Sequence, residues 1–214
     1  MIMKNIRLIS GKPLIAYTII EAKKSKYIDN LIVSTDDNEI AEISKKYGAE
    51  VPFLRPKKLA TDKAKTVDVL IHAVKFLERT NKFIPYIVVL LEPTSPLRTL
   101  EDINGGIKKH LGTDVDSVVS VVRCGNHHPL KAKIIENDTL KDYIFEEKEI
   151  TRSQNLPSVY FRNGAFYSVK RDVLMNEHRL YGKVTRPYIM PPERSVDIND
   201  EMDFKLAEAL LKGK

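Results

Sequence analysis

The sequence has little cysteine and lacks a long apolar run. Cys124 is the only cysteine among 214 residues, so no disulfide can form within the chain, which fits a reducing compartment. No apolar run reaches the roughly 18 residues that a membrane span requires, and charge interrupts residues 1–9 too early for a signal peptide. We therefore expect a cytoplasmic, globular protein.

Linkers and low-complexity segments are also absent from the sequence. The 11 prolines and 9 glycines are scattered between periodic segments, and a chain of this length can bury one substantial core. We expect a single domain over residues 1–214. Lys and Arg number 35 against 29 Asp and Glu, and the net charge of +6 suits an anionic partner. Because acidic residues are interspersed and no nucleic-acid motif is present, a small molecule is favoured over a nucleic acid.

Short β-branched runs alternate with segments of helical periodicity. This pattern predicts an α/β fold with a mostly parallel sheet covered by helices on both faces. The predicted strands are 30–35, 86–91, 117–122 and 165–169, and the predicted helices are 37–47, 67–79 and 200–212. Strand 86–91 is apolar on both faces, which indicates a central position. Pro93 and Pro96 then stop the ladder and create a loop at the sheet edge where open α/β sheets bind ligands.

The polar stretch between the last two predicted strands is a separate feature. It has roughly 40 residues, which is too long for a plain loop in a compact domain. Residues 132–135 and 143–145 are predicted as short strands around a turn at 136–138. We predict a β-rich arm at about 124–162, of a kind that often forms dimer contacts.

Several short segments, in this order and spacing, resemble one known family. The matching segments are 4–5, 11–14, 34–41, 55–56, 59–60, 91–98, 128–129, 162–165 and 195–198. Together they are similar to the N-acylneuraminate cytidylyltransferases, which include the synthetases for CMP-sialic, CMP-legionaminic and CMP-pseudaminic acids. The resemblance covers essentially the whole chain. It implies a three-layer, Rossmann-like fold of the nucleotide-diphospho-sugar transferase type, and a homodimer joined through the arm.

The resemblance also implies a reaction and a metal. In this family the sugar's anomeric hydroxyl attacks the α-phosphorus of CTP and pyrophosphate leaves, with Mg²⁺ neutralising charge. Asp197 matches a metal ligand of the family, and Asn199 stands where the family has a second aspartate. An amide oxygen can coordinate Mg²⁺ but carries no charge. The alternative for both residues is capping of the helix that follows.

The resemblance assigns the nucleotide contacts to three residues. Lys4 is expected on the phosphates, where it would also assist catalysis, and Asn5 near the ribose. Arg55 is expected to approach the cytosine ring, where a planar donor fork suits a pyrimidine carbonyl. A solvated surface position is the alternative for Lys4 and Arg55.

The remaining site residues are assigned to the sugar. Glu92, Thr94, Ser95 and Arg98 match the loop that forms the family's sugar pocket, and Arg152, Gln154, Arg162 and Asn163 match the stretch that closes over it. Arginine forks would pair the sugar carboxylate, and some of these residues are expected to act across a dimer. A purely structural loop is the alternative for residues 92–98.

Glu92 differs from the residue that is common in the family, and three other residues are assigned no catalytic role. Family members often have glutamine at the position of Glu92, so the carboxylate indicates a nonulosonic acid other than N-acetylneuraminate, one that presents hydroxyls or amines. His127, His128 and Cys124 are assigned no catalytic role, since paired histidines without further ligands are usually ordinary loop residues.

The family's opening strand and its Gly-rich phosphate loop have no counterpart before Lys4. We expect poor CTP binding without that loop, whose N–H groups cradle phosphates. An upstream translation start is our favoured explanation, and a short form without activity is the other. Three functions stay open: a CMP-nonulosonate synthetase, a related enzyme such as a CMP-Kdo synthetase, and a catalytically silent nucleotide- or sugar-binding protein.

Overall fold

A computed structural model of the protein describes residues 3–125, 128–144 and 156–213. The helices are α1 (Leu14–Lys23), α2 (Asn38–Tyr47), α3 (Thr66–Thr80), α4 (Leu100–Leu111), α5 (Arg171–Glu177) and α6 (Glu201–Lys212). The strands are β1 (Leu8–Ile9), β2 (Lys12–Pro13), β3 (Ile87–Leu90), β4 (Ser117–Arg123), β5 (Lys133–Glu136), β6 (Thr139–Asp142), β7 (Tyr160–Lys170) and β8 (Thr185–Met190). Arg152 and Gln154 lie outside the described residues.

Four strands form the main sheet, in the order β3-β7-β4-β8. Strands β4 and β8 pair in parallel, whereas β7 runs antiparallel to both β3 and β4. The α/β class is confirmed, and β3, β4 and β8 run in one direction as a mostly parallel sheet requires. The sheet is nevertheless mixed, because the reversed strand β7 lies between β3 and β4. Strand β3 is therefore at the end of this sheet and not at its centre.

The segment predicted as strand 30–35 is extended but joins another segment only at isolated points. Ile32 bridges to Glu50 and Thr35 bridges to Leu54, both in parallel. The prediction of a continuous strand was wrong for this segment. Helix α2 follows it as predicted, because the Asp37 side chain caps the first turn and Gly48 ends the helix at a φ of 99°.

Helices cover both faces of the sheet, which gives the three layers that were expected. On one face, Ile103 and Ile107 of α4 pack with Val118 and Phe166. On the other, Ile71 and Val74 of α3 pack with Val169 of β7 and Leu174 of α5. Helix α4 approaches the sheet closely at Gly106, where a Cβ would lie 2.5 Å from the Phe166 ring.

The predicted arm contains a β-hairpin within its described part. Strands β5 and β6 pair antiparallel around Asn137 and Asp138, whose φ angles are 50° and 60°. Positive φ at both central residues is the signature of a type I′ turn, which allows only two residues between the strands. The second strand therefore runs over Thr139–Asp142, and the strand predicted at 143–145 was wrong for residues 143 and 144, which form a bend; residue 145 lies outside the described residues.

Among the helices of the described residues, none is long and apolar enough to cross a membrane.

Candidate active site at the carboxyl edge of the sheet

The carboxyl ends of β3, β4 and β8 lie at the same edge of the sheet, and the predicted site residues cluster there. The loop after β3 is joined to the loop before α6 by a backbone hydrogen bond from the Ile198 N–H to the Thr94 carbonyl, at 2.9 Å. This bond sets Glu92 and Asp197 at one edge of the fold, although more than a hundred residues separate them in sequence.

Glu92 and Asp197 interact electrostatically. Burial raises the pKa of the Glu92 carboxyl, and the negative charge of Asp197 raises it further. Three cations, on Arg98, Lys4 and Arg55, oppose this shift. Each of these charges is therefore close enough to Glu92 to influence its ionisation, and the cluster mixes two carboxylates with cations from distant parts of the chain.

Lys4 reaches the cluster from the N-terminal side. Its Nζ donates to the carbonyl of Ile198 at 2.8 Å, which ties the start of the chain to the segment that carries Asp197. Asn5 follows it in the same short 3-10 helix, Lys4–Ile6, and is half-buried. An ammonium group has three donors, so Lys4 can bind an anion while it keeps this contact.

Arg55 follows the bridged segment and is half-buried. Its Nε donates to the Ser34 hydroxyl at 3.1 Å, and one Nη donates to the Ser34 carbonyl. Burial lowers the pKa of its guanidinium, while the charges of Asp36 and Glu92 oppose that change. Ser34 thus fixes one side of the guanidinium plane, and no described residue is hydrogen-bonded to the other Nη.

Asp197 lies against the backbone of β7. A Cβ at Gly164 would be 3.3 Å from the Asp197 Cγ, so glycine leaves room for the carboxylate at this point, where φ is 72°. The Asn199 amide nitrogen lies 3.3 Å from the Asp197 Oδ2. Coordination of a metal by the Asn199 amide oxygen would therefore require this side chain to rotate. Asp200, rather than either residue, caps helix α6.

The described residues contain no group of three or more His, Cys, Asp or Glu side chains that could hold a metal ion. Magnesium does not require one, because it is usually bound by one or two carboxylates together with water and substrate phosphates. The carboxylate of Asp197 is compatible with that kind of site.

Arg98, which was predicted to contact the sugar, directs two of its donor groups at protein oxygens. Its side chain is buried, and its guanidinium donates to the carbonyls of Glu92 at 3.2 Å and Ala165 at 2.6 Å, and to the Thr18 hydroxyl at 2.6 Å. Burial lowers its pKa to about 10. Its two Nη atoms hold α1, β7 and the loop after β3 together, whereas its buried Nε has no hydrogen-bond partner among the described residues, so the sugar contact of Arg98 stays a prediction.

Ser95 and Asn163 are also buried, and their predicted sugar contacts likewise stay predictions. The Ser95 hydroxyl donates to the Asn163 carbonyl at 3.4 Å. The Asn163 amide donates to the Ser195 hydroxyl at 2.9 Å and accepts from the Ser120 hydroxyl at 2.5 Å. Thr94 is half-buried at the edge, where its carbonyl forms the bond to Ile198.

Arg162 is exposed beside an aromatic pair. Its Nη1 donates to the Tyr181 hydroxyl at 2.5 Å, and the Tyr181 and Tyr167 rings are 6.2 Å apart. Burial is the main cause that raises the pKa of Tyr167 to about 12, and charges on Tyr181, Glu92 and Asp197 add to it. Tyr167 is thus part of the cluster, although the sequence analysis did not identify it. An alternating strand carries no signal that distinguishes such a tyrosine from an ordinary one.

His128 and Cys124 lie away from the cluster. The His128 Nε2 is 3.1 Å from the Pro157 carbonyl, and its Nδ1 accepts from the Leu130 N–H, so this ring is held by its own loop. Cys124 is half-buried and its backbone N–H donates to Val159. His127 lies outside the described residues.

The fold is that of nucleotide-binding α/β transferases. The solved structure of a CMP:2-keto-3-deoxy-manno-octonic acid synthetase complexed with CTP is similar, with a TM-score of 0.68, and the match covers 98% of this chain and 92% of that one. The identity is only 16%, so this similarity concerns the fold alone.

The family follows from the sequence comparison. The model of a family described as "Cytidylyltransferase" matches residues 1–209, and the chain belongs to this family. It is 34% identical over 211 residues to the post-translational flagellin modification protein B of Campylobacter coli, which covers 99% of this chain and 89% of that protein. It is also 34% identical over 212 residues to the CMP-N,N'-diacetyllegionaminic acid synthase of Legionella pneumophila, which covers 98% of this chain and 89% of the relative.

Proposed function

We propose that this protein transfers CMP from CTP to the anomeric hydroxyl of a nonulosonic acid. The bond that forms joins the sugar oxygen to the α-phosphorus, the bond from that phosphorus to the bridging oxygen of the β-phosphate breaks, and the hydroxyl proton is lost. The observation that supports this most is the convergence of Lys4, Arg55, Glu92 and Asp197 at one edge of the sheet in a chain of the cytidylyltransferase family.

The nucleotide would lie between Lys4 and Arg55. Lys4 keeps one hydrogen bond to Ile198 and has donors left for the phosphate oxygens. Arg55 is oriented by Ser34, so its second Nη, which is not hydrogen-bonded to any described residue, can donate to the cytosine carbonyl without a large loss of side-chain entropy. Asn5, in the same turn as Lys4, is proposed to contact the ribose.

Asp197 would hold a Mg²⁺ ion, with Asn199 as a second ligand after rotation of its amide. When bound, Mg²⁺ neutralises charge on the triphosphate and on the departing pyrophosphate. This role is supported by the room that Gly164 leaves for the Asp197 carboxylate and by the electrostatic interaction of Asp197 with Glu92.

The sugar would occupy the side of the cluster formed by Glu92, Thr94 and Arg162. Arg162 is exposed and can pair with the sugar carboxylate in a fork geometry. Glu92 would accept hydrogen bonds from hydroxyl or amine substituents, which favours a nonulosonic acid other than N-acetylneuraminate. Arg152 and Gln154 stay predictions for this side, and the buried Ser95, Arg98 and Asn163 would support it from beneath.

The protein is further proposed to be a cytoplasmic homodimer. Ile135 and Leu140 face each other across the β5-β6 hairpin and are 76% and 66% exposed. An isolated two-stranded hairpin is marginal in water, so burial of this apolar pair against a second copy of the chain would stabilise it. Light scattering on the purified protein should give twice the chain mass; a mass of one chain would contradict the homodimer.

Pyrophosphate release in the presence of CTP and Mg²⁺ tests the main proposal. The sugar panel should contain N-acetylneuraminic, legionaminic and pseudaminic acids together with Kdo, and UTP in place of CTP serves as the control. We expect release with a nonulosonic acid and CTP. Release with Kdo alone would indicate the related synthetase, and no release with any sugar would favour a silent binding protein.

A further inference from the structure

Strand β7 contains a large irregularity beside the cluster. Its pairing with β4 is regular from Ser117↔Val169 to Val119↔Tyr167, and regular again from Val121↔Arg162 onward. Between these stretches, Ser120 alone of β4 lies opposite residues 163–166 of β7. Bulges of this kind bend a strand and re-aim its side chains, and they are common beside active sites.

The hydroxyl of Ser120 takes the place of the missing ladder bonds. Ser120 is fully buried, accepts from the Phe166 N–H at 2.7 Å, and donates to the Asn163 Oδ1 at 2.5 Å. One side chain thus holds both ends of the bulge. The orientation of the Asn163 amide follows from this bond, because its oxygen faces Ser120 and its nitrogen faces Ser195.

The chain of hydrogen bonds continues to the segment that carries Asp197. The Asn163 nitrogen donates to the Ser195 hydroxyl at 2.9 Å, and that hydroxyl donates to the Pro191 carbonyl at 2.8 Å. Ser195 is two residues before Asp197, and the Asp197 carboxylate packs on Gly164, the residue after Asn163. Both the backbone that carries Asp197 and the surface against which it rests therefore depend on the bulge.

We propose that Ser120 is a positioning residue that sets the carboxylate of Asp197 through the bulge of β7. Ser120 is inaccessible and cannot touch a substrate. Its effect on turnover rests on the proposed function, in which Asp197 holds the metal, whereas its effect on the position of Asp197 does not.

Ser117 provides a matched control on the same strand. It is also fully buried, its hydroxyl pairs with Thr185 at 2.7 Å, and it accepts from the Gly182 N–H at 3.1 Å. Ser117→Ala removes the same buried group at the opposite end of β4, away from the bulge. A general loss of buried hydroxyls would therefore affect both serine variants in the same way.

Kinetics on Ser120→Ala and Ser117→Ala form the first test. We expect Ser120→Ala to lower kcat, or raise the Mg²⁺ concentration needed for half-maximal rate, by about 10- to 100-fold, as loss of outer-shell support does at metal sites. The KM for CTP should change far less. Ser117→Ala should stay within about twofold of the natural protein, since it leaves these supports intact. Equal losses in both variants would overturn the role of Ser120.

Amide NMR spectra of the same proteins form a second test that needs no activity. Ser120→Ala should shift the Gly164 and Asp197 amide signals, whereas Ser117→Ala should leave them in place. If the natural protein released no pyrophosphate and these shifts were still seen, the proposed function would fail and the positioning role would stand. If the Gly164 and Asp197 signals did not shift in Ser120→Ala, the positioning role of Ser120 would be overturned. If Ser120→Ala does not fold, Ser195→Ala replaces it in the same two measurements. Ser195 is less buried than Ser120 and accepts the hydrogen bond from Asn163.

Discussion

The site has two groups of polar residues, which come from the same sequence motifs but have different partners. The rim residues, such as Glu92 and Arg162, are half-buried or exposed, whereas the residues beneath the rim, such as Arg98 and Asn163, are buried. Glu92 and Arg98 are six residues apart on one loop. Glu92 is half-buried in a field of other charges, whereas Arg98 is buried and donates only to protein oxygens. Residues 162 and 163 divide in the same way, since Arg162 is exposed and Asn163 is buried.

Substitutions in the two groups should therefore affect different properties of the protein, namely activity and stability. Rim residues can be replaced without leaving a buried polar atom unpaired, so their loss should appear in activity. Residues beneath the rim satisfy carbonyls and hydroxyls that have no access to water, so their loss should appear in stability. Ser120 is placed between the two groups, because it is buried but acts on the position of Asp197.

Asp197→Ala should have the largest effect on activity. Removal of the carboxylate should lower turnover by about 100-fold or more, as expected for loss of a charge that acts on the transition state. Stability should not fall, because Glu92 loses a neighbouring negative charge. Pyrophosphate release and thermal melting measure the two effects.

Asp200→Ala is the matched control for this change. Asp200 accepts from the Met202 and Asp203 N–H groups and caps α6, three residues beyond Asp197. Its loss should cost about 1 kcal/mol of stability and leave turnover nearly unchanged. Normal turnover in Asp197→Ala would reject the metal role of Asp197.

Arg98→Met should have the largest effect on stability. The substitution leaves the Ala165 carbonyl and the Thr18 hydroxyl without this donor, and it leaves the Glu92 carbonyl with the Ser95 N–H alone, at a cost of about 3 kcal/mol or more. Arg162→Met, which loses only an exposed contact with Tyr181, should cost about 1 kcal/mol or less. Denaturant unfolding of both variants measures the difference. Equal stability losses would mean that Arg98 is not the structural link described above.

Arg98 also illustrates what the sequence could and could not predict. Helices α2, α3 and α6 were predicted to within a residue or two, because caps and apolar periodicity are local signals. The hydrogen-bond partners of Arg98, however, lie 67 and 80 residues away in Ala165 and Thr18. A motif identifies that an arginine is present at a position, but only the packing of distant elements decides whether it faces a ligand or the interior.

The same reasoning applies to β7 and to the extended segment 31–35. Apolar alternation predicted 165–169 as a strand but did not predict the bulge at residues 163–166, since a bulge depends on the partner strand. A glycine within a strand often marks a bulge, so Gly164 was the available signal. Residues 31–35 have the composition of a strand. A strand forms only where a neighbouring segment is hydrogen-bonded along its length, and this segment has two isolated bridges. Strand order places the carboxyl ends of β3, β4 and β8 at one edge of the sheet, but it does not determine the orientation of each side chain, and the grouping of these residues into one site stays a prediction.

Arg55→Lys should produce a moderate change in nucleotide binding. Lysine cannot reproduce the planar fork that Ser34 holds, so the KM for CTP should rise about tenfold while kcat changes little. Arg171→Lys is a control at the opposite end of β7, where Arg171 pairs with Glu78. It should leave the KM for CTP unchanged. An unchanged KM in Arg55→Lys would remove Arg55 from the nucleotide contacts.

Glu92→Gln should have the smallest effect, and its sign depends on pH. Burial and the charge of Asp197 raise the pKa of Glu92 in the folded protein, so stability is lost as pH rises through that folded-state value. Glutamine has no proton to lose. The variant should therefore melt about 2–4 °C higher than the natural protein near pH 8, which corresponds to about 1 kcal/mol, and the gain should vanish below about pH 4, where glutamate is protonated even when unfolded.

Glu101→Gln provides the opposite sign for the same chemical change. Hydrogen bonds from its own backbone N–H and from Thr99 lower the pKa of the exposed Glu101, so its carboxylate stabilises the fold above its unfolded pKa and that contribution is lost as pH falls. Glu101→Gln should therefore melt lower than the natural protein near pH 8. If Glu92→Gln also melted at a lower temperature near pH 8, the surroundings of Glu92 would stabilise its carboxylate. The difference between rim residues and buried residues would then not hold for Glu92. A rise in melting temperature together with a higher KM for the sugar would instead mean that Glu92 is kept for binding at the expense of stability.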